Sequence, residues 1–279
     1  MLTTPVRLLG DADRRAIQTV LDREPIAGAQ VAEMVAEGGV DWWRSGARLF
    51  GYGDGREVRA LCWVGTNMIP VGAGPAAVAA FSTLGGVERR RCSSIVGPAD
   101  AVLALWTRLR HWWGPAREVR PDQPLMVTDR PSVPPPDPAV RLVTVDEVDT
   151  LLPAAIAMYT TEVGVSPVTG SNGQPYRRRV EELIRARRTY ARIERGEVLF
   201  KADLAVVTPR TAQIQGVWVP PHWRGRGLAT AGLSAVVAGA LARGIPTVSL
   251  YVNAHNTAAR RVYDRCGFRQ VDRFATVLF

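Results

Sequence analysis

The sequence is nearly without lysine. Lys201 stands alone among 35 basic residues, so the other 34 are arginine, and the net charge is +9 over 279 residues. A basic chain invites a nucleic-acid reading. An arginine bias this extreme points instead to GC-rich coding and a dispersed, solvated surface, with local clusters at Arg177–Arg179 and Arg185–Arg188. Nucleic acid is therefore not an expected partner, while an anionic ligand stays open. Cysteine is scarce too: Cys62, Cys92 and Cys266 are too few and too scattered for a disulfide framework or a zinc site, and no metal is expected. The longest nearly apolar run, Ala231 to Ala242, is well short of the about 20 residues that span a bilayer. The first residues lack the apolar stretch of a secretory signal. A soluble cytoplasmic protein without a membrane partner is the expectation. Disorder is excluded by an apolar fraction of 47%, and the length suits one large domain or two of ordinary size.

Proline marks the division. Pro131 to Pro138 reads P-S-V-P-P-P-D-P, a stretch that can neither pair as a central strand nor continue a helix. It predicts a stiff linker, residues 131–138, between a domain over 1–130 and a second over 139–279. In the second half, a strand is expected over Arg141–Val145, and Thr144 and Glu147 have capping-box spacing. A helix follows, with Val148, Leu151, Leu152, Ala155, Ile156 and Tyr159 on one face; Pro153 delays its start unless it lies in the first turn. Gly164–Pro175 reads as a loop and Tyr176–Arg188 as a helix. Strands are expected over Thr189–Ile193, Glu197–Val207 and Thr211–Val219. A helix over Leu228–Arg243 is stopped by Gly244 and Pro246. A strand over Thr247–Val252, a helix from Asn256 to Cys266, and short strands near Phe268 and over Arg273–Phe279 complete the chain. The class is α+β, a mixed central sheet flanked by helices.

The most informative segment runs from Val217, Trp218 and Val219 through Arg224-Gly225-Arg226-Gly227 into Leu228-Ala229-Thr230. A strand enters a turn rich in glycine and arginine, and a helix leaves it. Such a turn aims backbone N–H groups at an anion, and the helix N-terminus adds partial positive charge. Gly225 and Gly227 let the backbone approach closely. The spacing lacks the P-loop lysine and the third dinucleotide glycine, which argues against nucleoside triphosphates and dinucleotides. Alone, this would be an ordinary helix-capping turn. It is not alone: Asn256, Ala259 and Tyr263 stand at i, i+3 and i+7 on one face of the following helix. Separately, Asn256 reads as a cap and Tyr263 as half-buried core; together with the turn they read as a ligand site.

These residues resemble the GNAT superfamily of acyl-CoA-dependent N-acetyltransferases. Its Q/R-x-x-G-x-G/A signature is met by Arg224, Gly227 and Ala229, and its second signature, Asn then Tyr then Gly-Phe, by Asn256, Tyr263, Gly267 and Phe268. The resemblance covers roughly Val140 to Phe279. It implies that the acetyl-CoA pyrophosphate sits on amides from Arg224 to Thr230, that the pantetheine arm runs along the Val217–Val219 edge held by Asn256, and that Tyr263 lies near the thioester sulfur. An amine attacks the thioester directly, with Tyr263 as general acid for the thiolate and a backbone N–H from Val219 or nearby polarising the carbonyl. Where some members carry a Glu on the strand before the Asn helix, this chain has Tyr251. Candidate bases are then Glu162, Glu197, His255 and the terminal carboxylate of Phe279, with a water chain as a further route. The amine acceptor, expected between the Gly164–Pro175 loop and the inter-domain cleft, and the oligomeric state stay open. The alternative is a non-catalytic acyl-CoA-binding regulatory or scaffold protein.

The N-terminal half carries no catalytic constellation. Helices are expected over Leu8–Leu21 and Ile26–Glu37, strands over Leu49–Gly53 and Val58–Asn67, and a Gly72-Ala73-Gly74-Pro75 turn before a helix to about Leu84. Beyond it come a strand over Cys92–Val96, a helix over Asp100–Trp113 and a short strand over Leu125–Thr128. This order repeats that of the other half and reads as a degenerate tandem copy, without an arginine at the phosphate position; an unrelated α/β domain is the alternative. The Trp42-Trp43 and Trp112-Trp113 pairs read as interface or core.

Overall fold

The structure is a computed structural model that describes residues 5–54, 57–87, 90–168 and 173–279. The chain forms two compact units. The first takes residues 1–126 together with 251–255 and 270–279 from the far end of the chain; the second takes 127–250 and 256–269. Residues 251–255 and 270–279, expected in the second domain, group with the first unit.

The first unit contains β1 (Val6–Leu8), α1 (Arg14–Arg23), α2 (Ala29–Gly38), the single turn α3 (Trp42–Ser45), β2 (Arg48–Tyr52), β3 (Ala60–Val64), β4 (Asn67–Val71), α4 (Pro75–Val87), β5 (Ser94–Pro98), α5 (Ala99–Trp113) and most of β6 (Glu118–Thr128). Two expectations are corrected. The run Val58–Asn67 is not one strand but the start of a hairpin that turns at Gly65-Thr66, where the Gly65 N–H donates to the Asn67 carbonyl (3.0 Å). Pro70 hid its second strand, because proline removes a ladder donor. Pro121 and Pro124 likewise hid the first part of β6. Their segment still accepts hydrogen bonds: the N–H groups of Val252 and Ala254 donate to the carbonyls of Pro124 (3.3 Å) and Asp122 (3.0 Å).

The chain's last strand, β12 (Arg269–Leu278), lies between β5 and β6, so the strand order of this unit is β1-β2-β3-β4-β5-β12-β6. β12 runs antiparallel to β5, from Phe274 opposite Pro98 to Leu278 opposite Ser94. Phe274, Ala275 and Val277 are buried. Thr276 Oγ1 donates to Gln123 Oε1 (2.6 Å), and Gln123 Nε2 donates to Asn253 Oδ1 (2.9 Å). α4 and α5 pack Phe81, Val102, Leu105 and Leu109 against β3, β5 and β12. α1 and α2 pack Ile17, Val20 and Val31 with Leu49, Leu61 and Val71. Each such side chain contributes about 1.5–3 kcal/mol by leaving water. The tryptophan pairs divide: Trp113 donates to the Gly85 carbonyl (2.8 Å) and packs on Phe279, while Trp42, Trp43 and Trp112 are exposed.

The second unit contains β7 (Arg141–Leu142), α6 (Val148–Val163), α7 (Gln174–Arg185), β8 (Thr189–Glu194), β9 (Glu197–Val207), β10 (Ala212–Trp218), α8 (Leu228–Ala242), β11 (Val248–Tyr251, the last residue counted with the first unit) and α9 (Thr257–Arg265). Its strand order is β11-β10-β9-β8-β7. The capping residues behave as their spacing predicts: the Glu147 carboxylate accepts from the Thr144 N–H (3.0 Å) and hydroxyl (2.9 Å) and pairs with Arg141 (2.6 Å). Together these hold its pKa down at about 2, the Arg141 hydrogen bond foremost. With that start secured, α6 begins at Val148 and carries Pro153 inside it, beyond the first turn, where the ring forgoes one backbone bond. The short strands expected near Phe268 and over Arg273–Phe279 are one strand, β12.

The proline segment 131–138 is docked rather than free. The Asp137 N–H donates to the Ala231 carbonyl (3.0 Å), and its nearly buried carboxylate accepts from Arg192 (2.9 Å). α8 lies close on the sheet because it is glycine-bearing: a Cβ at Gly232 would come within 2.6 Å of the Phe200 ring, and one at Gly239 within 2.7 Å of the Tyr190 hydroxyl.

Candidate active site

β10 and β11 are parallel and pair at only two positions, Ala212 with Val248 and Gln213 with Ser249. Beyond Gln213 the β10 edge is left without that partner, and the chain passes through Val217, Trp218 and Val219 to a short turn over Pro221–Trp223 and then to α8. Arg224 is exposed; its Nε donates to the Val219 carbonyl (3.1 Å) and its guanidinium lies over the Trp218 ring at 5.1 Å. Arg226 lies over Trp223 at 4.5 Å. Gly225 and Gly227 have φ of +77° and +80°, the left-handed region that favours glycine. Gly227 caps α8, and its carbonyl accepts from Thr230 (3.0 Å) and Ala231 (3.1 Å). Among the described residues, none accepts from the backbone N–H groups of Gly225, Arg226, Gly227, Leu228 and Ala229. The turn is thus a run of unengaged donors at the N-terminus of a helix, with Arg224 before it and Arg226 within it, which is the composition of an anion cradle.

α9 stands beside this helix. The Cys266 thiol at its C-terminal end contacts the Thr230 carbonyl (3.5 Å) and the Ser234 hydroxyl (3.7 Å) in the first turns of α8. Asn256, an exposed residue, caps α9, its Oδ1 accepting from the Ala259 N–H (3.1 Å). Ala259 is half-buried. Tyr263 is buried against Phe268, ring centroids 6.1 Å apart. Burial above all, and then the charge of Glu162, push its phenol well above the ordinary range. Tyr263 therefore keeps its proton and is a donor, not a base.

The candidate bases divide between the two units. Glu162, in the last turn of α6, lies within electrostatic reach of Tyr263 and of Tyr176. Glu197 is engaged elsewhere: its Oε1 accepts from Trp223 Nε1 (2.9 Å) and lies 2.7 Å from His222 Nε2, and these hydrogen bonds, His222 first, hold its carboxyl below the usual range. It anchors the turn that leads into the anion cradle. Phe279 belongs to the first unit, where its ring packs edge-on against Trp106 and Trp113 under the Arg90 guanidinium. His255 and Tyr251 also belong to that unit, and Tyr251 packs on Phe274. Part of the Gly164–Pro175 loop, residues 169–172, lies outside the described residues. The arginine clusters are in part matched by acids: Arg177 pairs with Asp149 (2.6 Å) and Glu181 (3.1 Å), and Arg185 with Glu181 (2.8 Å).

One group was not anticipated. Lys201 on β9 is 1% exposed at its side chain and donates to Asp203 Oδ2 (2.6 Å) and to the Gly216 carbonyl (3.3 Å). Opposite it, β10 bulges: Gln215 faces Asp203 and Trp218 faces Lys201, so three steps on β10 answer two on β9. Gly216 has φ +62°, and a Cβ there would lie 2.9 Å from Met158 Cε and 3.1 Å from both Lys201 Nζ and Asp203 Oδ2. The available signal was a charged pair two residues apart inside the apolar run Val198–Val207. Among the described residues no cluster of three potential metal ligands occurs, and no helix is long and apolar enough to cross a membrane.

The site thus combines a strand with a bulge, a parallel neighbour that pairs with it at only two positions, and a glycine turn that opens a helix. Residues 173–268 match the Acetyltransferase (GNAT) family, and residues 47–151 match a domain of unknown function, DUF4081. The chain is 40% identical over 57 residues to an uncharacterized N-acetyltransferase, YycN, of Bacillus subtilis (strain 168); the match spans 20% of this chain and 35% of that protein. A GNAT-family acetyltransferase structure from Colwellia psychrerythraea superposes with a TM-score of 0.58 at 14% identity, over 98% of this chain and 99% of that one. A tandem GNAT protein from the clavulanic acid biosynthesis pathway gives 0.54 at 15% identity, over 97% of each. Residues 173–268 thus resemble the GNAT acetyltransferase family, and the whole length has the fold of the tandem GNAT structure.

Proposed function

We propose that the second unit binds acetyl-CoA and transfers its acetyl group to a primary amine by direct attack on the thioester. The observation that carries this reading is the row of unengaged amides from Gly225 to Ala229 at the start of α8, with Arg226 within the row and Arg224 just before it. The pyrophosphate would lie on those donors, and the pantetheine arm along the β10 edge that β11 leaves open, passing Asn256 and Ala259. The acceptor nitrogen forms the new C–N bond as the C–S bond breaks. The proton lost from the amine goes to Glu162, directly or through water. Tyr263, kept protonated, donates its hydroxyl hydrogen bond to the departing thiolate. Because acetyl-CoA is a cytoplasmic metabolite, the reaction belongs to that compartment.

The test is a calorimetric titration with acetyl-CoA, followed by CoA release over a library of amines. The wild-type protein should bind acetyl-CoA, and Gly227→Glu should abolish binding, since it places bulk and negative charge where the pyrophosphate must lie. Unchanged affinity in that variant would reject the site. The engaged state of Glu197 favours one second reading, an acyl-CoA-binding regulatory or scaffold protein. Tight binding without turnover on any amine would select it.

A further inference from the structure

We propose that Lys201, held by Asp203, is a positioning residue for acetyl transfer: it turns the Gly216–Val217 peptide so that the Val217 N–H is presented to the acyl carbonyl. The inference rests on the acetyltransferase reading above and assigns a role to the one lysine of the chain.

This sequence uses arginine at every other basic position. The exception is a buried ammonium, and a buried charge is costly unless it is paired and hydrogen-bonded. Ammonium is a compact group with three rotatable donors, whereas guanidinium is a planar fork. Here two of those donors go to Asp203 Oδ2 (2.6 Å) and to the Gly216 carbonyl (3.3 Å). The space is small: Met158 Cε, Lys201 Nζ and Asp203 Oδ2 crowd the position where any side chain at 216 would begin.

The second step is peptide geometry. The described peptide bonds are trans, so the carbonyl of one residue and the N–H of the next point in opposite directions. With the Gly216 carbonyl drawn toward Lys201, the Val217 N–H faces the opposite side of β10. There β11 pairs only with Ala212 and Gln213, so no strand neighbour meets Val217. The bulge and the positive φ of Gly216 are the local distortions that accompany this turn of the peptide. A donor fixed in advance where charge develops on an acyl oxygen lowers the barrier without reorganising during reaction. Lys201 touches neither acyl group nor amine in this scheme; it acts through the peptide it holds.

The test uses acetyl-CoA labelled with 13C at the carbonyl and reads its stretching frequency by isotope-edited infrared spectroscopy on the intact protein. The variant is Lys201→Met with Asp203→Asn, which removes both charges together and keeps the volume. Its acetyl-CoA dissociation constant should stay within about threefold of wild type. The bound carbonyl should shift to higher frequency as its hydrogen bond is lost. With an amine that the wild type acetylates, kcat should fall on the order of 10²-fold while the KM for acetyl-CoA changes little. The same carbonyl frequency in both proteins would overturn the proposal. Should the variant fail to fold, the wild-type Val217 amide proton decides: it should shift with acetyl-CoA and not with CoA, and equal shifts would overturn the assignment. A wild-type protein that binds no acetyl-CoA would overturn the functional reading itself, whereas binding with an unaltered frequency would remove only Lys201.

Discussion

Single side chains decide the chemistry of this site. Tyr263 is buried and sits within reach of the Glu162 charge, and both effects favour the neutral phenol. A thiol titrates ordinarily at about 8.5 and a tyrosine at about 10, so a phenol raised further does not surrender its proton to the thiolate at equilibrium. In the proposed mechanism its contribution is a hydrogen bond that steadies the leaving sulfur. Tyr263→Phe should therefore lower kcat on the order of 10²-fold and leave acetyl-CoA affinity within about threefold, measured by steady-state CoA release and calorimetry. Equal turnover would remove Tyr263 from that role. Lys201 makes the complementary point: a residue type that is rare in a chain marks a position where the usual substitute does not fit.

At the scale of elements, much of the second unit was legible in the sequence. The periodic face of α6, the stop at Gly244 and the glycine–arginine turn into α8 each follow from one local rule, and the structure places them close to the expected residues. What was hidden has physical causes. Pro70, Pro121 and Pro124 masked strands because proline reads as a breaker, although an accepting carbonyl survives at each. Pro153 masked the start of α6 because the stabilising contact is a side chain outside the helix, the Glu147 carboxylate. Its bonds to Thr144 were legible from spacing; its pairing with Arg141 was not. The Lys201–Asp203 pair was missed because nothing local shows that a strand's charged residues face inward. The Glu147 arrangement has a pH consequence. Its folded pKa of about 2 lies below the ordinary value for a glutamate, about 4.3, so its stabilisation is complete above the higher value and is lost as the pH falls toward the lower. Glu147→Gln should destabilise the protein at pH 6 and flatten the loss of stability between about pH 4.3 and 2, as read from denaturant melts; an unaltered profile would show that α6 does not depend on this cap.

At the scale of the whole molecule, chain order and spatial order part company. Residues 270–279 are the last of the sequence but supply an inner strand of the first unit, with Phe274, Ala275 and Val277 buried there. Deleting 270–279 removes apolar side chains worth about 1.5–3 kcal/mol each where large, together with the ladder to β5. The truncated chain should lose the cooperative melt of its first unit, and the amides of Ile95 and Val96 should lose their protection from hydrogen exchange. Unchanged protection would contradict the pairing. The same feature bears on how the protein is made. A ribosome delivers the N-terminal residues first, yet the slot between β5 and β6 is filled by a segment far downstream of both. Until that segment emerges, the nascent first unit must wait with two open strand edges, the kind of surface that invites wrong partners.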